Sequence, residues 1–461
     1  MKPLPRLPDT GELLASIPHN ALRQALRHRI GPTPGGKYPH YEELRHRQPP
    51  NGLTLDSWWA CIKLARAQTR RDLPLKDAAG RPFGYVLVDP IHEMLHKIDQ
   101  MGAGRIELPE EATNPDSRDR YLVNSLIEEA ITSSQMEGAS TTRAVAADMI
   151  RSGRKPTDRS EKMILNNYLA IEQVRAMVGR PLEASQVLGL HETLTHETLE
   201  DDGAAGRLQT PDEERVEVVD NRTNRTLYIP PPAAQLPDRL SLMCDFANGA
   251  HDKDLFIHPA IRAILLHFWL AHDHPFVDGN GRTARALFYW SMLSSGYWMF
   301  EYVSISTIIK RSFAQYAKAY QFSESDENDA TYFIIFHLQV ILKAIQELED
   351  YLQRKIEQIR QLESQLRVRS GLNYRQLALL SHAIRHPRAE YSIQSHKRSH
   401  RVAYATARAD LAQLNALGYL VETWRGNKKT YLVAEDLDER IRRGSGKGGQ
   451  RLVSSERETG L

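Results

Sequence analysis

Cysteine is nearly absent: Cys61 and Cys244 are the only two in 461 residues. Two cysteines cannot staple a disulfide scaffold. Both stand in apolar runs, "WWACIKLA" and "LMCDFA", so buried free thiols in a reducing compartment are expected. A surplus of one charge is also absent, with 60 Lys+Arg against 58 Asp+Glu. Bulk charge therefore does not point to a nucleic-acid coat. The chain has no run of about 18 uncharged apolar residues, so no membrane span and no membrane partner are expected. The N-terminal "MKPLPRLPDTGELLASIPHN" has no apolar core of signal-peptide length, and the expected location is the cytoplasm. What is present is the profile of soluble globular protein, 41% hydrophobic and 26% charged, in a chain too long for one core. Two or three domains are expected.

Most of the chain reads as helix. "RDRYLVNSLIEEAITSSQMEG" places Leu122, Leu126 and Ile131 at near-helical spacing, with Gly138 to end it. "RSEKMILNNYLAIEQVRAMVG" repeats the pattern and closes on Gly179, and "PLEASQVLGLHETLTHETL" is a third helix. "ERVEVVDNRTNRTLYIPPP" alternates on both sides of a polar turn, then meets prolines, and reads as a β-hairpin over 215–230. Residues 1–115 are less legible. "PLKDAAGRPFGYVLV" predicts another hairpin, and Asp89-Pro90 starts a helix, but no function follows from this accessory region.

A long connecting helix is predicted over 331–367. Leu338, Ile341, Ile345, Leu348, Leu352, Ile359, Leu362 and Leu366 keep a 3-4 spacing broken only at Lys355. A coiled-coil seam and an intramolecular packing face both fit. In 368–435 two helical segments precede "ALGYLVET", a basic turn "RGNKK" and "TYLVA", the order of a winged helix-turn-helix. The polar, glycine-rich 436–461 is expected to be a disordered tail.

Chemistry concentrates in "HPFVDGNGRTAR", His274 to Arg285, between two apolar helices. Gly279-Asn280-Gly281 then lies at the start of the second helix, where unpaired N–H groups and the dipole favour an anion. Glycine lets the backbone approach a ligand closely. Arg282 and Arg285, three apart, can reach successive phosphates. Asp278 is a hard oxygen ligand for Mg²⁺, and His274 is placed to take a proton from a hydroxyl. Phe276 is apolar in a polar loop and should anchor it. His191 and His196 are five apart, which is not a metalloprotease helix. His267, His272 and His274 have no acids or cysteines spaced to complete a metal site.

This segment resembles the Fic family, whose motif HPFx(D/E)GNGRxxR is matched by His274, Pro275, Phe276, Asp278, Gly279, Asn280, Gly281, Arg282 and Arg285. The resemblance covers roughly residues 115–330. It implies a mainly α fold, with a helical core over 116–330, a β-hairpin flap, and transfer of AMP from ATP, with Mg²⁺, to a hydroxyl side chain of a protein. It implies His274 as general base, Asp278 as Mg²⁺ ligand and Gly279 to Gly281 as anion hole. Asn280 would hold the α-phosphate, Arg282 and Arg285 the β- and γ-phosphates, and Thr283 belongs to the same nucleotide-binding stretch. "RTLYIPPP" resembles the second arm of family flaps, which brings in Leu227 and Tyr228. Tyr316 resembles a tyrosine lining the adenine pocket. "SSQMEGAS" matches the family's inhibitory (S/T)xxxE(G/N) through Ser133, Glu137 and Gly138, on a helix near 125–138. A carboxylate there would pair with Arg285 where the γ-phosphate must go.

The expectation is an autoinhibited protein adenylyltransferase with an unknown target, capable of modifying itself and of forming a homo-oligomer. Removal of AMP, or transfer of another phosphate-containing group on the same site, stays open. So does a nucleotide-sensing DNA-binding regulator. Basic residues in "HKRSHR", Arg408, Arg425, Lys428 and Lys429 make DNA or a docking protein the partner of the winged helix.

Overall fold

The capping chemistry anticipated from the sequence sets the helix ends. The structure is a computed structural model describing residues 7–102, 115–215, 218–220, 225–250, 256–367, 371–425 and 428–443. The helix Arg159–Met177 starts at Asp158, whose carboxylate accepts the Glu161 N–H at 2.8 Å, and stops before Gly179 at φ 80°. Pro115–Met136 ends at Gly138, φ 98°, with the Ala139 N–H returning to the Ser134 carbonyl at 3.0 Å. That geometry needs a left-handed residue, which glycine supplies without strain. Leu126 and Ile131 of this helix are buried against Met149, Met163 and Ile164. The side chain of Leu122 lies outside the described residues.

Strands are few, and the sheets are antiparallel. Arg70–Lys76 pairs with Pro82–Val86, and Val218–Asp220 with Arg225–Tyr228, so both expected hairpins form. Val218 faces Tyr228 and Asp220 faces Arg225. The architecture is mainly α, as read from the sequence.

The chain divides into two compact units, Met1–Ile106 with Leu122–Leu348, and Glu107–Tyr121 with Glu349–Leu461. In the first, the N-terminal region is locked to residues 326–332 by buried polar contacts. Tyr38 Oη donates to Asp329 at 2.6 Å, Lys63 Nζ to Asp326 at 2.8 Å, and Arg66 to Tyr332 Oη and the Pro39 carbonyl at 2.9 Å each. The Gly84 carbonyl accepts from Ala330 N at 2.8 Å. This N-terminal region therefore shares a unit with the motif, although its sequence carries no sign of that.

Between residues 371 and 416 the second unit has three helices, Tyr374–Arg385, Ile393–His400 and Tyr404–Ala416, where two helical segments were anticipated. A short strand, Glu390–Ser392, pairs with Lys428–Val433, which also pairs with Leu420–Arg425. Three helices and a terminal hairpin are the order of a winged helix-turn-helix. The expected disordered tail begins too early. Leu437–Arg443 is a helix whose Leu437 and Ile441 enter the core with Leu380, Leu411 and Leu414. Its charged residues hid two apolar anchors at i and i+4 spacing. Residues 444–461 lie outside the described residues.

Thr331–Arg367 is one helix. Lys355 is not a break in its seam, because Ile356 is buried in its place and continues the 3-4 spacing. Leu338, Ile341, Ile345 and Leu348 are buried in the first unit, and Leu362 and Leu366 in the core of the second. The seam is an intramolecular packing face.

Candidate active site

The helix Pro259–Asp273 is buried along nearly its whole length and ends at His274. His274 takes φ 45° and ψ 54°, with its N–H on the Leu270 carbonyl at 2.9 Å. A non-glycine residue in this region costs energy and persists where surroundings hold it. Arg215 supplies much of that hold. It donates to the carbonyls of His274 at 2.9 Å, Asp273 at 2.5 Å and Pro231 at 2.8 Å. The Gln209 N–H bonds the Pro275 carbonyl at 2.9 Å. Burial lowers the pKa of the His274 imidazole, and nearby Arg215 lowers it further. The ring is thus a neutral base at physiological pH.

Phe276 is fully buried and anchors the loop as anticipated. Its ring stacks on His191 at 3.7 Å between centroids. His191 in turn bonds the Asp278 carbonyl through Nε2 at 2.9 Å and accepts the Gly206 N–H at Nδ1, 3.0 Å. That pairing assigns the Nε2–H tautomer. Burial first, and Arg282 after it, bring the pKa of His191 down to about 4, so this brace stays uncharged.

The helix Asn280–Ser294 follows, with Gly279 at its N-cap, φ 85°. A Cβ on Gly279 would stand 2.7 Å from Thr195 Cγ2, so glycine is required there twice over. The N–H groups of Asn280, Gly281 and Arg282 open the helix ahead of any intrahelical acceptor. The Asn280 side chain is spent within the loop: Oδ1 accepts from Phe276 N at 2.9 Å and Nδ2 donates to Phe276 O at 2.8 Å. What Asn280 offers an anion is its backbone N–H. Thr283 is also turned inward, its hydroxyl on the Gly279 carbonyl at 3.0 Å. It closes the first turn of the helix.

Both arginines are buried and partnered. Arg282 donates to the Leu194 carbonyl at 3.0 Å and to Asp278 Oδ2 at 3.3 Å. Arg285 donates through Nε to Ser133 Oγ at 2.8 Å, and through Nη2 to Ser133 O at 3.0 Å and Glu137 Oε1 at 2.8 Å. Burial works against the Arg285 charge, and Glu137 more than restores it. A Cβ on Gly281 would collide with the Glu137 carboxylate. Ser133 and Glu137 thus come to the anion cradle, with Glu137 lying on its floor, while Gly138 ends their helix at φ 98°. Ser133 bonds Arg285 directly, beyond any role in steadying its own helix.

Asp278 is 39% exposed. Its Oδ1 accepts the Gly279 N–H at 2.6 Å, and Oδ2 lies 3.7 Å from Arg159 Nη2. One accessible carboxylate beside an anion cradle fits Mg²⁺, which takes most of its shell from phosphate and water. Among the described residues no cluster of three or more His, Cys, Asp or Glu could hold a metal. Tyr228 Oη bonds His272 Nε2 at 2.8 Å, tying the hairpin to the last turn of the helix before His274. The Leu227 side chain lies outside the described residues. Tyr316 Oη meets His267 Nε2 at 3.0 Å, and its ring packs against Phe333 and His337.

Sequence reading missed Arg215, Gln209 and the bracing role of His191. Arg215 and Gln209 stand in a polar connection with no motif, and "HETLTHE" signals a histidine without its partner.

Fold and site together define a helical domain with a glycine-bearing helix start beside a neutral histidine. Residues 181–292 match the model of the Fic/DOC family, so the chain carries a Fic domain over that stretch. It is 39% identical over 70 residues to "Protein adenylyltransferase Fic" of Drosophila virilis, and 40% identical over 70 residues to that of Drosophila melanogaster. Each match covers 15% of this chain and only 14% of the relative. The crystal structure of a Fic family protein from Desulfovibrio desulfuricans G20 is similar at 19% identity, covering 80% of this chain and 99% of that one, TM-score 0.50. At that identity the likeness is one of fold. No helix among the described residues is long and apolar enough to cross a membrane.

Proposed function

We propose that the chain is an autoinhibited protein adenylyltransferase, moving AMP from ATP to a Ser, Thr or Tyr hydroxyl of a target protein or of itself. The observation that carries the reading is the glycine-lined helix start beside neutral His274, with a carboxylate, Glu137, already lying on it. The hydroxyl oxygen forms a bond to the α-phosphorus as the bond to pyrophosphate breaks. The hydroxyl proton passes to His274. The N–H groups of Asn280, Gly281 and Arg282 face the negative charge, and donors fixed before the reaction stabilise it without reorganising. Mg²⁺ on Asp278 would offset phosphate charge when bound with the nucleotide.

Glu137 acts as the restraint. While it holds Arg285, that guanidinium is not free for a phosphate. A charge-assisted Arg–carboxylate pair contributes roughly 1.5–3 kcal/mol, so its removal should raise transfer about 10- to 100-fold. The test compares wild type with Glu137→Gly, given ATP labelled at the α- or the γ-phosphate, with UTP and GTP in parallel. Stronger α-label on protein in the variant, with an AMP mass increment, is the expected result. Label from the γ-position alone, preference for UTP or GTP, or equal labelling in both proteins would reject this reading.

A further inference from the structure

Unlike the motif, the winged-helix unit keeps several of its cations in the open, and they gather on two helices. From Ile393 to Ala416 there are four of them, Lys397, Arg398, Arg401 and Arg408, and one acid, Asp410. Asp410 is buried and consumed by Arg375 at 2.6 Å, Asn373 at 2.7 Å and His396 at 3.1 Å. Burial pushes its pKa up, yet these bonds hold it at about 2, so it stays an anion inside the unit. Arg398, Arg401 and Arg408 are exposed, and no ion pair or hydrogen bond engages their side chains among the described residues. The turn and helix therefore present positive charge with no acid beside it. Arg408 also lies close enough to Lys429, at the base of the wing, to oppose its charge.

We infer that the face formed by Ile393–His400, Tyr404–Ala416 and the wing docks on duplex DNA through its phosphates. A protein surface was the other reading of this unit. The outward face of Tyr404–Ala416 argues for DNA. Ala405, Ala409, Ala412 and Ala416 are exposed on it, beside Arg408 and Gln413. A protein interface draws its energy from buried aromatic and large apolar anchors; this helix presents only Tyr404, and the exposed Val421, Trp424 and Leu432 stand apart from it on the wing strands. A helix with short side chains is instead slim enough for the major groove, about 12 Å wide against a helix diameter of about 10–12 Å. Exposed arginines at its start and in the turn before it stand where a recognition helix meets the phosphate backbone.

The wing contributes less than its sequence promises. Lys429 pairs with Glu422 at 2.6 Å, so its charge is already answered. The side chains of Arg425 and Lys428 lie outside the described residues. Arg398 and Arg408 therefore carry the test. This inference does not depend on the catalytic reading.

The full chain is titrated against fluorescent duplex of mixed sequence, about 30 bp long, between about 50 and 200 mM salt. Four phosphate contacts give a log–log slope of about −3.6, a loss of roughly 150-fold across that range. Arg398→Glu with Arg408→Glu should abolish binding at the higher salt. Arg398→Gln with Arg408→Gln should flatten the slope by about two contacts, while melting temperature and AMP transfer stay as in wild type. The inference is overturned if the wild-type chain does not bind at low salt or if both pairs of substitutions bind as wild type does. Equal or tighter affinity for single-stranded DNA or RNA would overturn it too.

Discussion

Two regions of this molecule collect arginines and treat them in opposite ways. In the motif, Arg282 and Arg285 are buried, each donating to named oxygens. In the second unit, Arg398, Arg401 and Arg408 are exposed, with no side-chain partner among the described residues. The difference separates two uses of positive charge. A buried, hydrogen-bonded guanidinium is positioned in advance and keeps its strength away from water, as chemistry on a phosphate requires. An exposed one is screened by salt and costs nothing to leave unpaired, as reversible docking on a polyanion requires.

The comparison breaks first at His274. His274→Ala should cut AMP transfer by about 10²–10⁴-fold with melting temperature and DNA binding retained, since the base contributes to the reaction and not to the fold. Near wild-type transfer from a folded variant would return the base to another group. Next comes the preformed cradle. Gly279→Ala forces a side chain into φ 85° and onto Thr195. It should lower unfolding free energy by about 1–3 kcal/mol, read from the denaturant midpoint. Trimming the obstructing methyl with Thr195→Ser should recover part of that loss, and additive losses would show that the contact is not the cause.

A smaller effect is expected from pH. The His274 pKa is lowered from its ordinary value, so the base form is already dominant at pH 7. Transfer should decline only as pH falls below the ordinary histidine value, through the lowered pKa. A decline centred at or above the ordinary histidine value would contradict the burial argument. Smallest of all is Lys429→Ala. Because Glu422 already answers that charge, the salt slope of DNA binding should be unchanged. A slope flattened as much as by Arg408→Gln would mean that the pair opens on binding and that the wing is a full partner.

Legibility followed contiguity. "HPFVDGNGRTAR" shows its base, acid, glycines and cations because they share one turn and one helix start. The hairpins, the long helix and the cap at Gly138 were equally readable, each being set by neighbours in sequence. Asn280 and Thr283 were harder, because a sequence displays a side chain's type and not the direction it takes. In the fold both turn back to the loop's own backbone. The Lys355 position misled for a related reason. Leu352, Ile356 and Ile359 carry the 4-3 spacing through the position, and the neighbouring Lys355 is exposed beside it.

What the sequence by itself determined is therefore local: mainly helical architecture, the glycine-bearing helix start, and the histidine proposed as base. Its match to an inhibitory pattern brought Ser133 and Glu137 into view without placing them. Only the tertiary structure put Glu137 on Gly281 and Arg285, Arg215 on the His274 carbonyl, and His191 beneath Phe276 and Asp278. Arg215 and His274 stand 59 residues apart, His191 and Asp278 87, and Glu137 and Arg285 148. No periodicity or propensity links residues at such separations. They meet because buried polar groups must find hydrogen-bond partners once the apolar helices have packed, and that packing decides which ones are within reach.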